Sequence, residues 1–163
     1  MTEIDGEQLI IRPVRPSDAP GLVEAVSCCS AEDLRIRFCG GISGLSAESA
    51  SQLSQIDPDR QMGLVAEDAA GRILGAVRLA FDPQGDTAEY SILVRSDRQR
   101  RGLGRQLLQT MLDAAAARGL REVWGDVARD NGPMLKVAET LGFRREAGED
   151  PARVRVIWTA AKR

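Results

Sequence analysis

A short apolar run, Leu9-Ile10-Ile11, lies between polar Gln8 and Arg12, and Gln8–Arg12 reads as a strand stopped by Pro13 and Pro16. Ser17 is placed to cap a first helix reaching about Val26. Ser30 with Asp33 resembles a capping arrangement for a short helix through Phe38. Gly40–Gly44 reads as a loop, and Ser46 opens a further helix to about Gln55. Two strands are predicted next, Gln61–Glu67 and Arg72–Ala80, joined by a turn at Ala69-Ala70-Gly71. Phe81–Asp86 carries Pro and Gly and reads as another turn. Ala88–Val94 has strand character. Leu103, Leu107, Leu108, Met111, Leu112 and Ala115 then recur at helical spacing, predicting a helix over Leu103–Arg118 that Gly119 ends. Glu122–Ala128 and Arg153–Ala160 are the last predicted strands, Val154, Val156 and Trp158 facing opposite to Arg155 and Ile157.

This order is that of a mixed α/β (α+β) domain. A helix between Ala88–Val94 and Glu122–Ala128 implies that these strands are parallel, because parallel neighbours need a crossover. Ligands of such sheets bind beyond the carboxyl ends of the strands, where Val94 stands.

Composition narrows the field without naming a chemistry. A chain of 163 residues fits one domain, taken as 1–163, and can bury a real core. A net charge of −2 and a pI near 5.3 argue against a general nucleic-acid binder. No apolar run is long enough to span a membrane, and the start Met1-Thr2-Glu3-Ile4-Asp5 lacks the form of a signal peptide, so a cytoplasmic location is expected. Cys28, Cys29 and Cys39 lack zinc spacing and the chain has no histidine, so no metal is expected and the cysteines read as reduced thiols.

The most informative segment joins the strand at Val94 to the helix at Leu103. It reads Val-Arg-Ser-Asp-Arg-Gln-Arg-Arg-Gly-Leu-Gly-Arg, with two glycines, four arginines after Asp97, and no acid among them. A Gly-rich turn entering a helix presents free backbone N–H groups and the positive end of the helix dipole, which suits a phosphate. A solvated strand-to-helix turn would carry the same residues. No Lys-Ser/Thr follows the last glycine, as a P-loop requires. Leu107 stands where a dinucleotide fingerprint needs its third glycine.

Gln99-Arg100-Arg101-Gly102-Leu103-Gly104 resembles the Gln/Arg-x-x-Gly-x-Gly/Ala pyrophosphate loop of the GNAT superfamily of N-acetyltransferases. The stretch from Asn131-Gly132-Pro133-Met134 to Leu141-Gly142-Phe143 is similar to a second motif of that family. The resemblance implies a mostly antiparallel central sheet flanked by helices. Its parallel fourth and fifth strands, here Ala88–Val94 and Glu122–Ala128, splay to admit the pantetheine arm of acetyl-CoA. The implied cofactor-binding residues are Gln99, Arg100, Arg101, Gly102, Leu103, Gly104 and Arg105 at the pyrophosphate. Ile92 and Val94 would offer backbone groups to the pantetheine. Asn131 would touch the pantetheine or hold its loop, although Asn before Gly-Pro is equally a helix cap.

A lysine amine has a pKa of about 10.4 and arrives mostly as ammonium at neutral pH. A carboxylate must take its proton. Glu89 lies five residues before Val94, roughly 17 Å along an extended strand, and shares a face with Ser91 and Leu93. It is the candidate catalytic base, and an ordinary surface glutamate would occupy the same position. Many members of the family carry a tyrosine seven residues after the motif Asn as a general acid. Ala138 stands there, and Tyr90 is the only tyrosine.

The chain is most similar to the acetyltransferase domain of bacterial protein lysine acetyltransferases that modify acyl-CoA synthetases. The likeness runs through Ile11–Asp18, Asp33–Phe38, Gln55-Ile56-Asp57, Ala88-Glu89-Tyr90, Val94–Asp97 and Pro133-Met134-Leu135. It implies acetyl transfer from acetyl-CoA to a primary amine, first of all a protein lysine, with an acyl-CoA synthetase or another protein as partner. A chain of this length leaves no room for the large regulatory domain such proteins often carry. A homodimer is compatible with this reading. Two alternatives stay open: acetylation of a small amine such as a polyamine or an aminoglycoside, and a non-catalytic acyl-CoA-binding regulatory module.

Overall fold

A computed structural model describes residues 2–4, 6–27, 59–83, 85–95, 102–147 and 151–160. The expected helices after Ser30 and Ser46, the loop Gly40–Gly44 and the three cysteines lie outside the described residues. Eight strands form one sheet: β1 (Thr2–Ile4), β2 (Glu7–Pro13), β3 (Gln61–Asp68), β4 (Ile73–Phe81), β5 (Thr87–Val94), β6 (Glu122–Ala128), β7 (Arg144–Ala147) and β8 (Arg153–Thr159). Their order is β1-β2-β3-β4-β5-β6-β8-β7. Only the β5–β6 pairing is parallel among the described strands. This is the mixed, mostly antiparallel sheet that the element order predicts.

Among the described residues the helices are α1 (Ala19–Ser27), α2 (Leu103–Arg118) and α3 (Gly132–Thr140). α2 is the crossover between β5 and β6, and its buried side is the predicted stripe from Leu103 to Ala115. It lies close on the sheet because β4 has Gly75 beneath it, where a Cβ would come within 3.0 Å of Leu107 Cδ1. With α3 it covers one sheet face, burying Leu79, Ala88, Tyr90, Val94, Val123, Val127 and Val156 in a common core. α1 packs on the opposite face against Val65 and Ile73, with Ala76 at the margin.

The first helix departs from expectation. Ser17 is not its cap. A single 3₁₀ turn, Pro16–Asp18, precedes α1, and the Arg15 N–H donates to Asp18 Oδ2 at 2.7 Å. Asp18 prevails because Arg12 of β2 donates two hydrogen bonds to its carboxylate, at 2.9 and 2.7 Å, while reaching Glu67 of β3. Those bonds from Arg12, assisted by the Arg15 N–H and opposed by burial, hold the Asp18 carboxyl below its usual range. The two unexpected strands, β1 and β7, are outer strands of the sheet. The four residues of β7, Arg-Arg-Glu-Ala, carry the charge that protects an edge and hides a strand from hydrophobic pattern.

Candidate active site

β5 keeps a full ladder with β4, from Phe81↔Ala88 to Gly75↔Val94. With β6 it pairs only at Thr87↔Glu122, Ala88↔Val123 and Glu89↔Trp124. β6 in turn stays paired with β8 from Glu122↔Thr159 to Ala128↔Arg153. The two strands therefore part after Glu89 and leave a gap between Tyr90–Val94 and Gly125–Ala128, as the splayed pair requires.

Backbone alternation says what β5 offers this gap. Arg95 N–H donates to Leu74 O, and Asp82 N–H donates to Thr87 O, so the odd-numbered residues of β5 address β4. The N–H and C=O of Ile92 and Val94 then turn toward the gap, the arrangement proposed for them from sequence. Their side chains belong to the α2–α3 face, with Val94 buried and Ile92 packed against the core. At the base of the gap the Tyr90 ring occupies the space a side chain at position 125 would need. A Cβ on Gly125 would sit 2.5 Å from Tyr90 Cε1. The ring is held edge-on to Phe143, with centroids 5.6 Å apart.

Glu89 is the last residue of β5 paired with β6, so its carboxylate stands where the strands begin to part. It is exposed and lies on the face opposite α2 and α3, beside Ser91. Across the pairing on that face come Trp124 and then Asp126. Arg155 of β8 donates to both Asp126 oxygens, at 3.1 and 3.4 Å, and lies over the Trp124 ring at 4.2 Å. Sequence reasoning missed this trio, because only the β6–β8 register brings Arg155 to Asp126.

The other end of the gap meets the start of α2. Gly102 caps the helix at φ 89°, a left-handed conformation that glycine adopts without strain. The first N–H groups, of Leu103, Gly104 and Arg105, have no helical carbonyl four residues back. The Leu103 side chain is buried in the core, so only its backbone can face a ligand, while Arg105 is exposed. Gly104 rests near Val94 Cγ2 and Met134 Cε, and a Cβ there would make ordinary contacts at 3.8 and 4.0 Å. Packing alone does not demand glycine at 104. Gln99, Arg100 and Arg101 lie outside the described residues.

Asn131 is the cap of α3: its side chain accepts the Met134 N–H at 3.3 Å, with Pro133 in the first turn. It fastens the turn between β6 and α3. Ala138, in the usual tyrosine position, is completely buried, so a hydroxyl-bearing ring there would displace core side chains rather than enter the gap.

The acetyltransferase (GNAT) family model matches residues 33–143, more than half of the chain. The chain belongs to the acetyltransferase (GNAT) family. An acetyltransferase of Pseudomonas aeruginosa is 29% identical over 142 residues, which is 85% of this chain and 76% of that protein. The L-methionine sulfoximine/L-methionine sulfone acetyltransferase of Pseudomonas aeruginosa is 37% identical over 84 residues, so the match spans only 49% of either protein. The solved GNAT domain of S. lividans PAT superposes with a TM-score of 0.88 at 27% identity, covering 96% of this chain and 93% of that one. This GNAT chain is an acyl-CoA-dependent N-acyltransferase with acetyl-CoA as its co-substrate. Among the described residues no group of side chains has a metal-binding arrangement, and no helix is long and apolar enough to cross a membrane.

Proposed function

We propose that this GNAT enzyme acetylates a lysine side chain of a protein, with Glu89 as general base. One observation carries the reading: the parallel pairing stops at Glu89↔Trp124, which leaves an exposed carboxylate at the apex of the gap. Acetyl-CoA would lie along the open edge of β5, its pantetheine paired with Ile92 and Val94. Its pyrophosphate would sit at the N-terminus of α2, on the N–H groups of Gly102, Leu103, Gly104 and Arg105, with Gln99, Arg100 and Arg101 completing the loop. Asn131 would keep the β6–α3 turn in place beside it.

The chemistry then needs little more. Glu89 takes a proton from the ammonium, directly or through a water. The amine nitrogen attacks the thioester carbonyl carbon, the C–N bond forms, the nitrogen gives up its second proton to water, the C–S bond breaks, and CoA leaves as a thiolate. Solvent protonates that thiolate, since buried Ala138 offers no acid.

The charges around Glu89 speak against a polyamine. Asp126, the neighbouring carboxylate on β6, is already neutralised by Arg155. The resemblance of Ile11–Asp18, Ala88-Glu89-Tyr90 and Pro133-Met134-Leu135 to protein lysine acetyltransferases supports a protein acceptor. The partial match to an amino-acid acetyltransferase favours a small amine as the second reading.

The test is an intact-mass assay with acetyl-CoA and three acceptors: a purified acyl-CoA synthetase, spermidine, and free amino acids. Acetylation of a synthetase lysine is the expected result. Acetylation of a small amine alone would replace the protein-lysine reading. Binding of acetyl-CoA with no acceptor consumed would make the chain an acyl-CoA-binding module.

A further inference from the structure

Two arginines flank Glu89 on its sheet face, and they are differently placed. Arg155, on the β6–β8 side, is committed to Asp126 and to the Trp124 ring. Arg78, on the β4 side, is not. It pairs in register with Ser91 of β5 and Gly63 of β3, and stands diagonally across from Glu89, whose own partner on β4 is Ala80. Among the described residues, neither the Arg78 nor the Glu89 side chain makes a hydrogen bond or an ion pair. Among the described residues its direct neighbours on this face, Gly63, Ala76, Ala80 and Ser91, are small, with Gln61, Val65 and Leu93 on the other diagonals. It is nonetheless half-buried. A cation held on a floor of small residues, one diagonal step from a free carboxylate, is an unusual outlay for a structural role. An Arg and a Glu on this diagonal are within reach of each other, and here they do not pair.

We infer that Arg78 is a specificity-determining residue that holds a carboxylate of the acceptor while Glu89 takes the proton from its amine. The inference rests on the acetyl-transfer reading above and adds the chemical class of the acceptor: an amine with a carboxylate close beside it. Diagonal positions on paired strands are about 7–8 Å apart, and somewhat less at Cβ. With one hydrogen bond to each head group, that spacing spans an amine and a carboxylate only a few atoms apart. Such a pair occurs in a protein lysine next to Asp or Glu, and in a free amino acid. The guanidinium fork matches a carboxylate in two parallel hydrogen bonds, which a lysine at position 78 would not reproduce.

The test compares two lysine peptides identical but for Glu or Gln beside the lysine, with free glutamate and a monoamine as the small-molecule pair. For wild type, kcat/KM should favour the carboxylate-bearing member by about ten- to hundredfold, the range of a charge-assisted hydrogen bond. The difference should reside mainly in KM. Arg78→Gln should abolish that ratio, Arg78→Lys should restore part of it, and acetyl-CoA affinity should hold in both. Preference within the peptide pair identifies a protein source for the carboxylate. Preference within the small-molecule pair alone identifies a free amino acid and replaces the protein-lysine reading while leaving Arg78 its role. Equal use of both members by wild type, or an equal loss on both in Arg78→Gln, overturns the inference. Calorimetry with CoA joined through an acetyl bridge to each peptide needs no turnover. Discrimination that vanishes in Arg78→Gln there would keep the Arg78 assignment even if Glu89 proves not to be the base.

Discussion

Toward β4, β5 is paired along its length; toward β6 it is paired over three residues. One strand thus has a finished edge and an unfinished one. The finished edge belongs to the half of the sheet that Arg12 ties together, from β2 through the 3₁₀ turn to β3. The unfinished edge belongs to the half proposed to meet acetyl-CoA. Beyond Glu89 the β5–β6 pairing does not continue, and the gap is the place proposed for the pantetheine arm. The β4 ladder holds one side of the gap, and β8, paired along β6, holds the other.

The largest expected effect lies at the junction of the two edges. Glu89→Gln keeps the shape of the site but cannot accept a proton, and should slow turnover about a hundred- to ten-thousandfold at neutral pH. Acetyl-CoA affinity should hold. The deficit should narrow toward pH 9, where more of the amine arrives deprotonated. Near wild-type turnover across pH 6 to 9 would pass the role to water or to another carboxylate such as Asp126.

Next comes the base of the gap. Gly125→Ala drives a methyl into the Tyr90 ring, which is packed against Phe143 and has little room to move. Overpacking of this kind costs about 1–3 kcal/mol. Chemical denaturation should show the loss, and a thermal shift assay should show weaker stabilisation by CoA. An unchanged midpoint would mean that the ring is not what occupies the gap's floor.

Gly102→Val tests the far end. A β-branched residue at φ 89° is strained by about 1–2 kcal/mol, and its side chain obstructs approach to the first N–H groups of α2. Calorimetry should find CoA binding weakened by about tenfold with the fold intact. Unchanged affinity would remove the loop from the site.

The smallest effect is expected in the closed half. Asp18→Asn should cost about 1 kcal/mol, since Arg12 keeps Glu67. Asp18 is held below the usual carboxylate range by the Arg12 hydrogen bonds. Burial, which acts to raise Asp68, is outweighed by hydrogen bonds from Arg72 and Ala70, so its carboxyl too is lowered. A lowered folded value means that these groups contribute full stability above the ordinary carboxylate range. That contribution fades as pH falls below about 4. Asp18→Asn should therefore flatten the acid limb of the stability curve and leave CoA affinity untouched. A drop in CoA affinity would show that the two halves are coupled.

Much of this was legible in the chain. The helix stripe from Leu103 to Ala115, the alternation of β5 and the Gly-x-Gly junction are local signals, and the structure bears out the elements they predict. The parallel pairing followed from a crossover helix alone. β1 and β7 escaped because short, charged outer strands carry no apolar period. The cap at Ser17 was wrong because Asp18 is recruited by an arginine on another strand. Asn131 was legible as a cap, and the structure shows it in that role. The contrast between Arg78 and Arg155 was invisible, since it depends on which side chain a register places opposite each guanidinium.

The sheet order carries a last consequence for how the molecule is made. β6 and β7 are both held by β8, which leaves the ribosome after either of them. The strands β2 to β5 and the helix α2 can associate while synthesis is still under way. The wall across from them acquires its full ladder only when Arg153–Thr159 emerges and inserts between two strands already waiting. The gap proposed for acetyl-CoA is therefore among the last features to take shape, and a nascent chain halted before β8 would own the helix N-terminus and Glu89 without a slot to join them.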